Sequence, residues 1–400
     1  MYDFKNCELL CPAGSEECLS TALHFGADAV YVGGPFMQLR SDSASFSSDK
    51  LENAVKKVHS LNKKLYVTVN SFAKNNEIEP LKAYAKQLYD MNADAVIVSD
   101  LGAICAVKEG APDLEIHIST QANIQNYMTA ITYYNMGAKR VVLGREMSLD
   151  EIAELRAKTP SDLEIETFVH GAMCMSYSGR CLISSYLSGK SGNRGECTQP
   201  CRWMYYLTEE KRPEQHFEVI EENGSSAILS SHDLKCIDFL DKIAEAGVTS
   251  FKIEGRMKSP YYVATVTNAY RHRMDSTACL DILNSELECA SHRPYSSGFY
   301  FGDLIYNHSN DGLYRQTCRF TAIVLSDDGG GYYTVEMRNR FSLGDTLEIL
   351  SPYSLGESFK VESIIDKNGN ERETAHLPQE HLSIKSDKKL YPGDILRIRL

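Results

Sequence analysis

A chain of 400 residues with 43% hydrophobic and 24% charged side chains has an ordinary globular composition and room for one large domain plus a small one. Its formal net charge of -12 argues against indiscriminate nucleic-acid binding, so any contact with RNA has to come from local basic patches. No run approaches the roughly 18 apolar residues of a membrane span, and the opening residues do not read as a signal peptide. A cytoplasmic protein is expected, in which the 12 cysteines stay reduced and a cluster of them points to a metal site rather than to disulfides.

Eight short β-rich runs, each ending in small or polar residues, set the rhythm of the first part: Glu8–Cys11, Ala29–Val32, Leu65–Asn70, Ala95–Ser99, Glu115–Thr120, Arg140–Leu143, Ile165–His170 and Ser250–Glu254. Stretches such as AVYVG, LYVTV and AVIVS are apolar throughout, which suits parallel strands covered on both faces. Helical segments lie between them, among them Leu51–Ser60, Leu81–Met91 and Leu149–Ala157; Ser148 and Glu151 form a capping box at the start of the last. This pattern predicts an α/β chain with a (β/α)8 TIM-like barrel over residues 1–277, a doubly wound open sheet being the rival. After the seventh run an insertion of roughly 80 residues precedes the eighth, and loops that long usually carry function. Its cysteine-rich part spans 171–240, and a further β-like run inside it, Ala227–Ser231, could displace the strand count. A connection over 278–317 leads to short alternating strands at Phe320–Leu325, Tyr332–Met337, Thr346–Leu350, Phe359–Ile365 and Ile395–Leu400. They predict a small C-terminal β-barrel domain over 318–400.

The insertion carries Cys174, Cys181, Cys197 and Cys201, with Cys236 downstream, five thiols in 63 residues. Four thiolates can close a zinc site or hold an iron–sulfur cluster, and the irregular spacing favours the cluster. Arg180, Lys190, Arg194 and Arg202 stand there against a single acid, Glu196, which favours deprotonated sulfur. Cys7, Cys18, Cys105, Cys279, Cys289 and Cys318 read as buried small hydrophobes, while Cys11, ending the first strand, would face the barrel mouth. Residues at the C-terminal ends of barrel strands carry the chemistry. They include His170, a candidate for proton transfer, and Arg256 with Glu254, a pair suited to a carboxylate or phosphate. Arg145 with Glu146 repeats that pair. Lys258, Tyr262, Gln121 and Asn70 are candidates for substrate contacts, Tyr262 as a stacking ring, and Lys252, Arg256, Lys258, Arg271 and Arg273 for phosphates.

The blocks FVHGAMCMSYSGRC, NRGECTQPCR, KIEGRMKSPYY, ISTQANIQN and RPYSSGFYFG, with the opening ELLCPAGSEECLSTALHFGADAVYVGG, resemble the collagenase-like peptidase family U32 over nearly the whole chain. The closing NRFSLGDTLEI and YPGDILRIRL resemble its tRNA-modifying branch, which makes 5-hydroxyuridine. The resemblance implies a [4Fe–4S] cluster on Cys174, Cys181, Cys197 and Cys236, with Cys201 in reserve. It implies oxygen-independent hydroxylation of the wobble uridine of tRNA, with prephenate as a linked co-substrate, and it leaves a homo-oligomer open. Two other functions compete: a U32-type peptidase, for which no HExxH or Ser/Cys–His signature is present, and a zinc-stabilised RNA-binding module without catalysis.

Overall fold

The apolar runs fold as parallel strands: β1 (Glu8–Pro12), β2 (Ala29–Gly33), β3 (Lys64–Val69), β4 (Ala95–Val98), β5 (Glu115–Ile118), β6 (Arg140–Val142) and β7 (Glu164–Ala172). In the computed structural model, which describes residues 2–39, 44–174, 176–203, 206–209, 212–218, 232–302 and 314–400, the run Ala227–Ser231 lies outside the described residues. A hairpin of β8 (Tyr206–Glu209) and β9 (Arg212–Glu218) and a short strand, β10 (Asp233–Lys235), precede the eighth barrel strand, β11 (Ser250–Ile253). β11 pairs in parallel with both β1 and β7, which closes the cylinder and excludes the open sheet. β10 lies antiparallel to β7 beyond the ring and pairs with β12 (Tyr295–Ser296).

The helices between the strands are α1 (Glu16–His24), α2 (Ser48–Ser60), α3 (Ile78–Asp90), α4 (Leu101–Gly110), α5 (Tyr127–Asn135) and α6 (Leu149–Lys158), with α8 (Leu240–Glu245) before β11. Asp100 and Asn126 cap α4 and α5, and the Ser148–Glu151 box at α6 forms as expected.

Leu10, Ala29, Tyr31, Tyr66, Ala95 and Ile97 form one core cluster. Against Tyr66 and Tyr31 packs a charged group that the apolar runs did not announce. Arg140 is buried among Glu8 (2.6 Å), Glu164 (2.7 Å) and Glu166 (2.9 Å), and Lys252 reaches Glu166 at 2.7 Å. Burial alone would raise the Glu166 carboxyl, but Lys252 and Arg140 outweigh it and hold it at about 2. Lys252 is therefore a barrel-core residue and no phosphate contact. Cys11 alternates with inward-facing Leu10 and is buried, so it points away from the mouth. Cys18, Cys289 and Cys318 are buried as expected, whereas Cys105 and Cys279 are exposed.

Residues divide into two compact units. The first comprises 1–19, 28–257 and 293–314, and the second 20–27, 258–292 and 315–400. The second unit holds α9 (Pro260–Met274) and α10 (Leu280–Leu287), with nine strands: β13 (Cys318–Gly329), β14 (Tyr332–Met337), β15 (Phe341–Ser342), β16 (Thr346–Leu350), β17 (Ser358–Lys360), β18 (Ile364–Asp366), β19 (Thr374–Ala375), β20 (His381–Lys385) and β21 (Ile395–Arg399). Seven of them make one antiparallel sheet in the order β17-β16-β21-β13-β14-β20-β18 around a core that includes Val324, Val335, Leu347, Ile384 and Leu396. The expected strand Phe359–Ile365 is two strands, β17 and β18, and β20 had no counterpart in the sequence reading. Buried Arg397 bonds Glu286 of α10 at 2.6 Å, and Tyr261 stacks on Phe320 at 5.4 Å.

Candidate active site at the barrel mouth

Arg256 follows the end of β11 and turns into the barrel mouth, where it is buried. Its Nη1 donates to Thr68 Oγ1 at 2.5 Å and its Nη2 to Gln38 Oε1, so the end of β3 and the loop after β2 aim one guanidinium. Gly33 makes room for it: a Cβ there would lie 2.9 Å from Arg256 Nη1. Arg145 donates to the Ala172 carbonyl at 2.6 Å and stacks over Phe168 at 3.9 Å. Its second Nη lies 3.6 Å from Glu254, so the acid of one motif pairs with the arginine of the other. Glu146 accepts the backbone N–H of Ser178 at 2.9 Å.

His170, near the end of β7, is buried, and its carbonyl accepts the Glu254 N–H at 2.9 Å. Its ring lies 5.4 Å from that of Tyr295. Asn70 follows β3, its Nδ2 donating to Ser119 Oγ at 3.4 Å. Among the described residues its buried Oδ1 has no hydrogen-bond partner. Such an orphan at a strand end suits a substrate donor, since an unmet buried acceptor is costly. Gln121 begins its turn with a backbone bond to Ser119 Oγ at 3.3 Å. Thus His170, Arg145, Glu254, Arg256, Asn70 and Gln121 all lie at strand ends of the first unit. Lys258 and Tyr262 belong to the second unit, where Lys258 donates to the Ser291 carbonyl at 3.3 Å and sits over the Tyr262 ring. Tyr262 is 3% exposed, so its ring packs in the core and has no face to offer a base. Arg271 of α9, 3.2 Å from Asp275 just past its end, is in that unit too, as is Arg273.

The residues after β7 form a strap across the mouth. Ser178 bonds Glu146, and Gly179 comes so close to the Gln121 carbonyl that a Cβ would lie 2.2 Å from it. A short helix, α7 (Ile183–Ser188), comes next. Arg194 then ties the strap to the other side through Glu77 (2.7 Å) and the Phe72 carbonyl (2.5 Å). That hydrogen-bonded pair holds Glu77 below the usual carboxylate range. Beside it opens a cleft of about 590 Å³ lined by Phe36, Gln38, Ser71, Lys190, Arg194 and Cys197. Gln38, Thr68 and the Glu77–Arg194 pair were not foreseen; the Gly33–Gly34 dipeptide was the sequence signal for the close approach that Arg256 makes.

Among the described residues no group of three or more His, Cys, Asp or Glu side chains is placed to hold a metal. Cys174 and Cys197 are exposed, Cys181 and Cys201 are partly buried, and Cys236 is fully buried. Antiparallel pairing sets Asp233 opposite Ala172, so the chain leads Cys236 and Cys174 away from that rung in opposite directions. Burial pushes the Cys236 thiol well up, so it would enter a site as thiolate only beside a cation. The donor chemistry nonetheless fits a thiolate-held metal. The strap brings its thiols to the reactive end of the barrel, and Cys197 Sγ accepts the Gln199 N–H at 3.4 Å, the kind of bond that stabilises a ligating sulfur.

No helix among the described residues is long and apolar enough to cross a membrane. The chain matches the model of peptidase family U32 over residues 14–310 and that of the peptidase family U32 C-terminal domain over residues 316–397. It is similar to the tRNA hydroxylation protein P1 of Bacillus subtilis, with 38% identity over 98% of this chain and 95% of that one. It is similar also to the tRNA hydroxylation protein P of Haemophilus influenzae, with 34% identity over 98% and 96%. A collagenase of Porphyromonas gingivalis is 32% identical over 74% of each chain.

Proposed function

Since this chain belongs to peptidase family U32, we propose that it is an RNA-modifying enzyme that hydroxylates a base of tRNA, making 5-hydroxyuridine at the wobble position without dioxygen. The observation that carries the reading is the match along nearly the full length of two tRNA hydroxylation proteins. The polar mouth is consistent with it. Arg256, aimed by Thr68 and Gln38, binds an anionic group, either an RNA phosphate or a carboxylate of a co-substrate such as prephenate. Arg145, steadied by Glu254 and the Phe168 ring, supplies a second cation at the same end of the barrel. His170 holds or releases a proton at its ring nitrogens, and Asn70 and Gln121 orient the base edge. Cys174, Cys181, Cys197 and Cys236, with Cys201 in reserve, would hold a [4Fe–4S] cluster, which when bound supplies electrons or a Lewis-acidic iron. An anticodon loop presents an unpaired nucleotide to such a mouth without melting a duplex.

Anaerobically purified protein is expected to be brown, with about four irons per chain, and tRNA from a strain lacking the gene is expected to lose 5-hydroxyuridine by nucleoside mass analysis. Unchanged tRNA would overturn the reading, and a colourless protein with one zinc would replace the redox enzyme with an RNA-binding module. The likeness to the collagenase favours a second reading, peptide hydrolysis, which cleavage of gelatin by the iron-free protein would support.

A further inference from the structure

The strap carries an outer face that none of these roles uses. α7 is held on its inner side by Ser184, which is buried, and Ser188; their hydroxyls lie 3.1 and 3.0 Å from the Thr198 hydroxyl. Four residues apart on the other side, Leu182 and Tyr186 point to solvent, 71% and 90% exposed. α7 packs against the turn Pro200–Arg202. The next residue, Trp203, is 49% exposed, and Tyr177, at the start of the strap, is 60% exposed. Single exposed apolar residues need no explanation, but three aromatic rings in one 27-residue strap that crosses the reactive end of a barrel do. Between them Arg180 and Lys190 are exposed too, with Glu196 the one acid from Tyr177 to Trp203, in a chain whose net charge is -12.

Rings interleaved with cations match one partner chemistry: a polyanion whose bases are free to stack. Base–aromatic stacking contributes about 1–3 kcal/mol per base and tolerates any sequence, and the local cations neutralise phosphates. A duplex has no free base faces for such rings, and an apolar protein partner would leave the cations buried without counter-charges.

We propose that the outer face of the strap, with Tyr186 and Trp203 at its centre and Tyr177, Arg180 and Lys190 beside them, is a stacking platform for the unpaired RNA nucleotides that flank the one delivered to the barrel mouth. The proposal rests on the RNA reading of the site and deepens it by assigning where the loop is gripped. Neither Tyr186 nor Trp203 touches the reacting base; they hold its neighbours, so the strap couples RNA capture to the same segment that carries the thiols.

Trp203 is the only tryptophan of the chain, so its fluorescence reports the platform directly. The full-length, iron-loaded protein is titrated with an oligouridylate of about 10 nucleotides, with an anticodon stem–loop RNA, and with a blunt duplex of equal length. The first two are expected to quench Trp203 and the duplex to compete poorly. Tyr186→Ala is expected to weaken binding of the stem–loop about 10-fold, while Tyr186→Phe, which keeps the ring, retains the affinity of the parent. Tyr186 is almost fully exposed, so its truncation removes no core contact, and circular dichroism confirms the fold. If the stem–loop binds Tyr186→Ala as tightly as the parent and leaves Trp203 unquenched, the platform is overturned while RNA binding stands. If the parent binds none of the RNAs, the platform and the RNA reading fall together.

Discussion

Arg256 shows how much of the site depends on single atoms. One guanidinium spans Thr68 and Gln38, a geometry that a lysine, with one compact ammonium, does not reproduce. On the proposed function, Arg256→Lys is expected to lower kcat/KM for tRNA hydroxylation about 100-fold, a loss on the order of 3 kcal/mol of transition-state binding. Steady-state assay with a thermal melt alongside checks that the fold is intact. Glu166 is the opposite case, a structural charge between Arg140 and Lys252. Its carboxyl titrates at about 2 when folded, below its usual 4.5, so its stabilising contribution is complete above about pH 4.5 and is lost as the pH falls towards 2. Glu166→Gln, which leaves two buried cations short of a partner, is expected to cost about 3–5 kcal/mol and to flatten the acid limb of stability measured by denaturant melts from pH 6 to 3. An unchanged acid limb would show that other carboxylates set it.

At the scale of elements, the strands and their caps were legible because their causes are local. Runs such as AVYVG tolerate no water on either face, and Ser148 meets its backbone donors within one turn. All eight predicted barrel runs became strands within about two residues of their expected ends. The strap was legible only as a cysteine-rich insertion; its anchors, Gly179 on Gln121 and Arg194 on Glu77, join residues far apart in sequence. Gly179 has φ +72° and no room for a Cβ. Gly179→Ala is therefore expected to lift the strap from the mouth and to reduce hydroxylation severalfold while the barrel melts as before, a pairing that assay and circular dichroism test together. Loss of the melt as well would mean that the strap belongs to the barrel core.

For the whole molecule, the packed interior of the barrel owes little to the thiols of the strap, which are exposed or partly buried. On the proposed function, removing iron with a chelator under anaerobic conditions is expected to abolish hydroxylation and to leave the far-ultraviolet spectrum unchanged. Collapse of the spectrum would instead make the metal a structural element. The charge pattern is read at this scale too: with a net charge of -12, stem–loop binding is expected to weaken steeply with added salt, because the few local cations do the neutralising. A salt-independent affinity would place the contact on uncharged groups.

The sequence by itself determined the features set by periodicity and local chemistry: eight β-α units, a β-rich C-terminal region, the cysteine-rich insertion, and which polar residues end which strands. Only the tertiary structure decided that β11 closes on β7, that Arg140, Glu166 and Lys252 form a charged barrel core, that Tyr262 is buried, and that Arg256 is aimed by Gln38 and Thr68. The physical reason is range. Helix caps and strand patterns are set by residues within a few positions of one another, whereas ion pairs and hydrogen bonds across a closed barrel join residues up to 242 positions apart, and residue types alone do not say which of the many possible partners will be neighbours.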